Sequence, residues 1–219
     1  MSAPLPPLER EVKAVADDPP ALGRRLQAGG ATLVFRGHMS DRRYDRADGA
    51  LTARDEVLRL RTYRPAESAA PRPAELAWKG PTHRSQGYKE REEHQIALGD
   101  PAALATILER LGFTVCDRID RGIEVYDLPG ATVRLEWYPR MDVLVEVEGE
   151  PDAIERAVQA TGLARDAFTG ERLLDFAERY RRRTGMAPIL ALAALGSARP
   201  AWPAWADAPP PGRPAPPAR

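Results

Sequence analysis

Charged residues recur at every second position in one segment of this chain after another. From Leu8 to Val15 the sequence reads LEREVKAV, which puts Glu9, Glu11 and Lys13 on one side of an extended backbone and Leu8, Val12 and Ala14 on the other. The same alternation sets Arg59 and Arg61 against Leu58 and Leu60, and Lys79 against Trp78. It sets Arg134 and Glu136 against Val133 and Leu135, and Glu146 and Glu148 against Val145 and Val147. Lys89, Arg91 and Glu93 share a face of their own. This period predicts strands over 8–15, 31–45, 56–63, 75–80, 88–98, 113–128, 131–138 and 143–149.

Between the strands the period changes. Asp18-Pro19-Pro20 starts a short helix through Leu22 and Leu26, closed by Gly29-Gly30. Asp100-Pro101 starts another, with Leu104, Ile107, Leu108 and Leu111 on one side and Gly112 as its stop. Two more helices are predicted over 151–161 and 170–182. These helices need apolar surface to pack on, and the apolar strand faces supply it. The charged faces must then look the other way. A solvated sheet surface would carry many Ser, Thr and Gln residues, whereas these faces are almost wholly ionisable. The expected fold is therefore α+β: about eight antiparallel strands closed into a barrel with a charged interior, and helices packed outside.

Composition narrows the function classes. With 32 basic and 32 acidic residues among 219, the chain has no net charge to draw it to nucleic acid or an anionic membrane. One cysteine, Cys116, excludes an intrachain disulfide or a multi-cysteine zinc site, and it is expected to be a small core residue. The start, MSAPLPPLERE, lacks the apolar core of a signal peptide, and no run approaches the ~20 apolar residues of a membrane span. A cytoplasmic protein is the expectation, with a monomer and a homodimer both open. The three histidines, His38, His83 and His94, show no ligand-like spacing, and no Walker A or dinucleotide glycine pattern occurs.

The inward charges suggest a ligand. Lys13, Arg59, Arg61, Lys79, Lys89, Arg91 and Arg134 suit phosphate oxygens. Glu9, Glu11, Glu93, Glu136, Glu146 and Glu148 would repel a bare polyphosphate, and carboxylates beside phosphates make sense through Mg²⁺ or Mn²⁺. Phosphoryl transfer rests on positioning and charge stabilisation, so no nucleophilic side chain is required. Lys13, Arg59 and Glu136 are the candidate catalytic residues.

These residues fall into an ordered motif series. Glu9, Glu11 and Lys13 form E-x-E-x-K; DRRYD follows at 41–45, VLRLR at 57–61, WKGP at 78–81, REE at 91–93, LERLGF at 108–113 and VEVEG at 145–149. The series resembles the CYTH superfamily, the triphosphate tunnel metalloenzymes named for class IV adenylate cyclase and thiamine triphosphatase. The resemblance implies an eight-stranded tunnel in which Glu9, Glu11, Glu146 and Glu148 hold metal, with Glu136 and Glu93 contributing. It implies that Lys13, Arg59, Arg61, Lys79 and Arg91 grip a triphosphate. Two features depart from the family pattern. Glu136 stands where members often carry aspartate. Arg118 and Arg121, in a strand that usually offers a basic pair, fall on opposite faces and stay outside the candidate site.

The expected domain spans 8–185, with residues 1–7 as an extension. Residues 186–219, dominated by Ala, Pro and Trp, are expected to be disordered, with Trp202 and Trp205 exposed and the apolar run Ile189–Leu195 able to dock as a helix. The leading functional expectation is metal-dependent hydrolysis of inorganic triphosphate, a nucleoside triphosphate or thiamine triphosphate. Cyclisation of ATP by a class IV adenylate cyclase is the alternative, and a non-catalytic polyphosphate- or nucleotide-binding module is the third.

Overall fold

The computed structural model describes residues 7–66 and 72–207. Along these the chain runs β1 (Leu8–Val15), α1 (Pro19–Ala28), β2 (Thr32–Arg46), α2 (Ala50–Ala53), β3 (Val57–Pro65), β4 (Ala74–Lys79), β5 (His83–Ser85), β6 (Tyr88–Leu98), α3 (Pro101–Arg110), β7 (Phe113–Leu128), β8 (Ala131–Trp137), β9 (Leu144–Gly149), α4 (Pro151–Thr161) and α5 (Leu173–Thr184). The helix boundaries follow their caps. The Asp18 carboxylate accepts the Ala21 amide at 2.9 Å, and Asp100 accepts those of Ala102 and Ala103, in each case before a proline in the first turn. Helices α4 and α5 end on Gly162 and Gly185, at φ of 73° and 72°, a left-handed conformation that a β-carbon would oppose.

The strands form one antiparallel sheet in the order β1-β9-β8-β7-β2-β3-β4-β6, and β1 pairs back onto β6. That pairing closes an eight-stranded barrel, with β5 added outside it as a short partner of β6. The alternation seen in the sequence becomes a radial division. Val12, Ala14, Val133, Leu135, Val145 and Val147 point outward and are buried beneath Leu22 and Leu26 of α1 and Ile154, Ala157 and Val158 of α4. Tyr44 and Leu60 pack under Ala105 and Leu108 of α3.

Inside, the inward charges are interrupted by apolar side chains. At one end Ile119, Tyr138 and Leu144 meet Phe176, Ala177 and Tyr180 of α5; elsewhere on the inward face Phe35, Met39, Ile123 and Val125 form a second apolar cluster. Among the described residues no helix is long and apolar enough to cross a membrane.

Residues 186–207 differ from the compositional expectation. They run across the outer face of the barrel as a strap rather than standing free. Strand β7 outruns β8, since their pairing begins only at Gly122, and this leaves a stretch of β7 edge unpaired. The Leu190 carbonyl accepts the Asp120 amide at 2.7 Å, and Ile189 exchanges backbone hydrogen bonds with Arg140. The apolar run thus docks as a single bridge and a 3₁₀ turn (Leu192–Ala194), not as the helix expected. Trp205 meets Trp137 edge-on at 5.4 Å, Trp202 covers His38 at 5.5 Å, and Ala206 is fully buried. Gly122 makes room for this seat, because a β-carbon there would lie 2.8 Å from Ala206. The two tryptophans supply the buried area that the alanines and prolines lack. The remainder of the tail, 208–219, and residues 1–6 lie outside the described residues.

Candidate functional site

The inward charges join into a girdle of alternating sign that passes through every wall strand. From β3, Arg61 forks onto Asp41 of β2 at 2.7 and 2.9 Å. Asp41 also accepts from Arg121 of β7, and Arg121 donates to Glu136 of β8 at 2.9 Å. Arg134 links Glu136 to Glu146 of β9, and Lys13 of β1 lies 2.5 Å from both Glu146 and Glu11. Lys89 of β6 shares the same Glu11 oxygen. The ring closes through Lys79 of β4, 2.6 Å from Glu9 and 3.1 Å from Glu93, and through Glu93 to Arg59 of β3 at 3.3 Å.

This girdle surrounds a cavity of about 400 Å³. Its walls carry ten basic residues (Lys13, Arg43, Arg59, Arg61, Lys79, Lys89, Arg91, Arg121, Arg134, Arg172) and eight acidic ones (Glu9, Glu11, Asp41, Asp55, Glu56, Asp117, Glu136, Glu146). Burial makes each charge costly unless it is paired, so the alternation is an electrostatic necessity. Burial alone would raise Asp41 and Glu146, yet Arg61 and Arg121 hold Asp41, and Arg134 and Lys13 hold Glu146, well below the usual carboxylate range. Lys13 is raised despite its burial, through Glu11 and Glu146, whereas burial lowers Lys89.

Not all of the cationic capacity is used. The buried Nε atoms of Arg43, Arg59, Arg121 and Arg134 have no aligned acceptor. Donors left without a partner on side chains that line a polar cavity suit an anion with several oxygens.

Nearly all the residues expected at the site converge here. Lys13, Arg59, Arg61, Lys79, Lys89, Arg91 and Arg134 line the cavity, as do Glu9, Glu11, Glu136 and Glu146. Arg91 spends part of its fork on backbone, donating to the carbonyls of Gly80 and Asp55. Glu93 lies behind Lys79 and Arg59. Glu148 stands at the rim, its side chain 38% exposed, 3.9 Å from Arg134 and beside a separate shallow cavity. Burial and the nearby Glu9 push its carboxyl up to about 7.

Sequence reasoning missed Asp41, Arg43, Arg121 and Tyr138. Arg121 sits between Ile119 and Ile123 on its face, so no run of charge marks it. Arg118 is exposed, as its opposite parity implies. Cys116 is also exposed, at the cavity mouth and not in the core: it falls at the irregularity where the pairing of β7 with β2 slips between Arg43 and Tyr44.

The donor chemistry suits a hard divalent cation, since the available ligands are carboxylate oxygens. Among the described residues no three acidic, histidine or cysteine side chains converge on one point, because each lumen carboxylate is turned toward its own lysine or arginine.

A closed antiparallel barrel with a girdle of buried charge and open guanidinium donors defines a tunnel protein built for a polyanion. The CYTH domain model matches residues 7–172, and the chain belongs to that family. Its members are enzymes that act on triphosphates with the help of divalent metal. Solved structures share the fold. A candidate adenylate cyclase from Vibrio parahaemolyticus superposes with a TM-score of 0.66 at 16% identity, covering 80% of this chain and 99% of its own. A Pyrococcus horikoshii protein gives 0.61 at 22% identity, covering 78% and 98%. A candidate adenylyl cyclase from Hippeastrum, described as having a dominant triphosphatase activity, gives 0.51 at 16% identity, covering 84% and 97%. A search of curated proteins returns no match.

Proposed function

We propose that this chain is a divalent-metal-dependent triphosphatase, hydrolysing inorganic triphosphate, a nucleoside triphosphate or thiamine triphosphate within the barrel. The observation that carries this reading is the set of buried, unaccepted Nε donors on Arg43, Arg59, Arg121 and Arg134. A triphosphate supplies oxygens along its length, and a girdle that already encircles the lumen can grip it from several strands at once. Lys13, Lys79 and Lys89 are the mobile partners. Each is held only by carboxylates, so each can transfer its charge to phosphate without breaking a backbone contact. Glu9, Glu11, Glu146 and Glu148 would hold Mg²⁺ or Mn²⁺, which when bound offsets phosphate charge and polarises the phosphoryl oxygens. Lys13 and Arg59 would stabilise charge on the reacting phosphoryl group, and the apolar clusters that interrupt the inward charges limit entry of bulk water.

Cyclisation of ATP to cyclic AMP and pyrophosphate is the second reading. It is supported by the fold shared with the candidate cyclase of Vibrio parahaemolyticus. The two differ in which phosphorus lies in line with which nucleophile. The deciding experiment incubates the protein with tripolyphosphate, ATP and thiamine triphosphate, with Mg²⁺ or Mn²⁺, and identifies the products. Phosphate without cyclic AMP is the expected result. Cyclic AMP with pyrophosphate as the main products would replace hydrolysis with the cyclase reading. Tight binding with no turnover would make the tunnel a binding module.

A further inference from the structure

The girdle has two unlike halves. On β1, β4, β6 and β9 the cations are mostly lysines, and a carboxylate such as Glu11 meets Lys13 and Lys89 through one and the same oxygen. On β2, β3, β7 and β8 the cations are all arginines, and two carboxylates there have both oxygens engaged. Both oxygens of Asp41 are taken by Arg61, and one is shared with Arg121. Glu136 gives one oxygen to Arg121 at 2.9 Å and Arg134 at 3.1 Å, and the other to the Tyr138 hydroxyl at 2.5 Å. Asp41 is 1% exposed and Glu136 is 0% exposed.

We infer that Asp41 and Glu136 are positioning residues for the phosphate-facing arginines, and that Glu136, held in place by Tyr138, orients guanidinium groups rather than ligating the metal. A guanidinium is a planar fork. Once a buried carboxylate takes its terminal nitrogens, the direction of the remaining N–H is set. Arg121 is held in this way, giving one terminal nitrogen to Glu136 and the other to Asp41 while its buried Nε keeps no aligned acceptor; Arg134 lies with its Nε 3.1 Å from Glu136 and a terminal nitrogen on Glu146. Arg121 bridges the two carboxylates, so Asp41 and Glu136 lock three arginines from three strands into one rigid wall. The lysine half can yield its acids to a cation as phosphate enters. The arginine half cannot, because freeing Glu136 would leave Arg121 without one partner and the Tyr138 hydroxyl without any, in a fully buried setting. The longer glutamate at 136 fits this role, since one carboxylate there reaches Arg121, Arg134 and Tyr138 together.

This inference rests on the triphosphate reading of the cavity, and the test separates the two. Full-length protein and the variants Asp41→Asn, Glu136→Gln and Tyr138→Phe are titrated with tripolyphosphate by calorimetry in the absence of metal. They are titrated separately with Mn²⁺ alone, followed by electron paramagnetic resonance, and thermal melts report folding. Asp41→Asn and Glu136→Gln are expected to weaken tripolyphosphate by about tenfold or more while Mn²⁺ affinity stays within about twofold. In turnover the loss should fall on KM more than on kcat. Tyr138→Phe removes a single hydroxyl and keeps the test open if a charge variant unfolds; it should weaken tripolyphosphate by about threefold, again with Mn²⁺ unchanged. A tenfold loss of Mn²⁺ affinity in Glu136→Gln would make Glu136 a metal ligand and overturn the inference. Unchanged tripolyphosphate affinity in the folded variants would overturn it too. Failure of the unmodified protein to bind tripolyphosphate would instead remove the functional reading beneath it.

Discussion

The ammonium of Lys79 lies 2.6 Å from each carboxylate oxygen of Glu9, and so joins β4 to β1 over the top of β6, the strand that separates them in the sheet. The pair is both a cross-brace of the barrel and part of its charged wall. Lys79→Ala strands a buried carboxylate and is expected to cost about 3 kcal/mol of stability along with triphosphate turnover. The double variant Glu9→Gln/Lys79→Met removes both charges and should recover most of that stability without recovering activity. Chemical denaturation of the three proteins checks the first half, and a phosphate-release assay the second. A double variant as unstable as the single one would show that the pair is not the source of the loss.

Glu148 carries a pH signature. Burial and the neighbouring Glu9 raise its carboxyl from 4.5 to about 7 in the folded chain. Between those values the folded state holds a proton that the unfolded state has released, so this group's contribution to stability declines as pH rises from 4.5 to 7. Urea midpoints measured across that range should fall more steeply for the natural chain than for Glu148→Gln. Parallel profiles for the two would contradict the assignment.

Asp45 works in the opposite direction. Burial alone would raise it, but its carboxylate accepts the Thr52 hydroxyl and the amides of Leu51, Thr52 and Arg46, which bring it down to about 2. Its stabilisation is present above 3.8, the unshifted value, and is lost as pH falls toward 2. Asp45→Ala is expected to cost about 2 kcal/mol at neutral pH. The difference from the natural chain should shrink in acid denaturation series run down to that range.

The strap offers a prediction independent of catalysis. Trp205 packs on Trp137 and carries Arg36 over its ring at 5.6 Å. Trp205→Ala should destabilise the fold by about 2 kcal/mol. Tripolyphosphate affinity should stay unchanged, because the strap lies on the outer face. A calorimetric melt paired with a binding titration reads both, and a loss of affinity with no loss of stability would mean that the strap acts on the lumen directly.

Much of the wall could be read from local periodicity alone. Glu9, Glu11 and Lys13, Arg59 and Arg61, and Glu146 and Glu148 are two positions apart, and an extended backbone sends such residues to one side whatever its neighbours do. The helix starts at Asp18 and Asp100 were equally legible, because a cap is a contact within three residues. The closed barrel, the outward apolar faces and the identity of most cavity residues therefore follow from the sequence.

What the tertiary structure alone decided is where charge stops along each strand and which acid meets which base. On β2 the inward face changes from Phe35 and Met39 to Asp41 and Arg43, and on β7 Arg121 stands between Ile119 and Ile123. No period marks such a change. It is set by the stagger of the strands around the barrel, which brings positions from eight separate segments to one height. The strap is nonlocal in the same sense. Its alanines and prolines promise no core, and its place depends on an unpaired stretch of β7 that exists only because β8 ends short of it. Pairing across the lumen depends on three-dimensional distance, so the split between a lysine half and an arginine half became visible only once the barrel was closed.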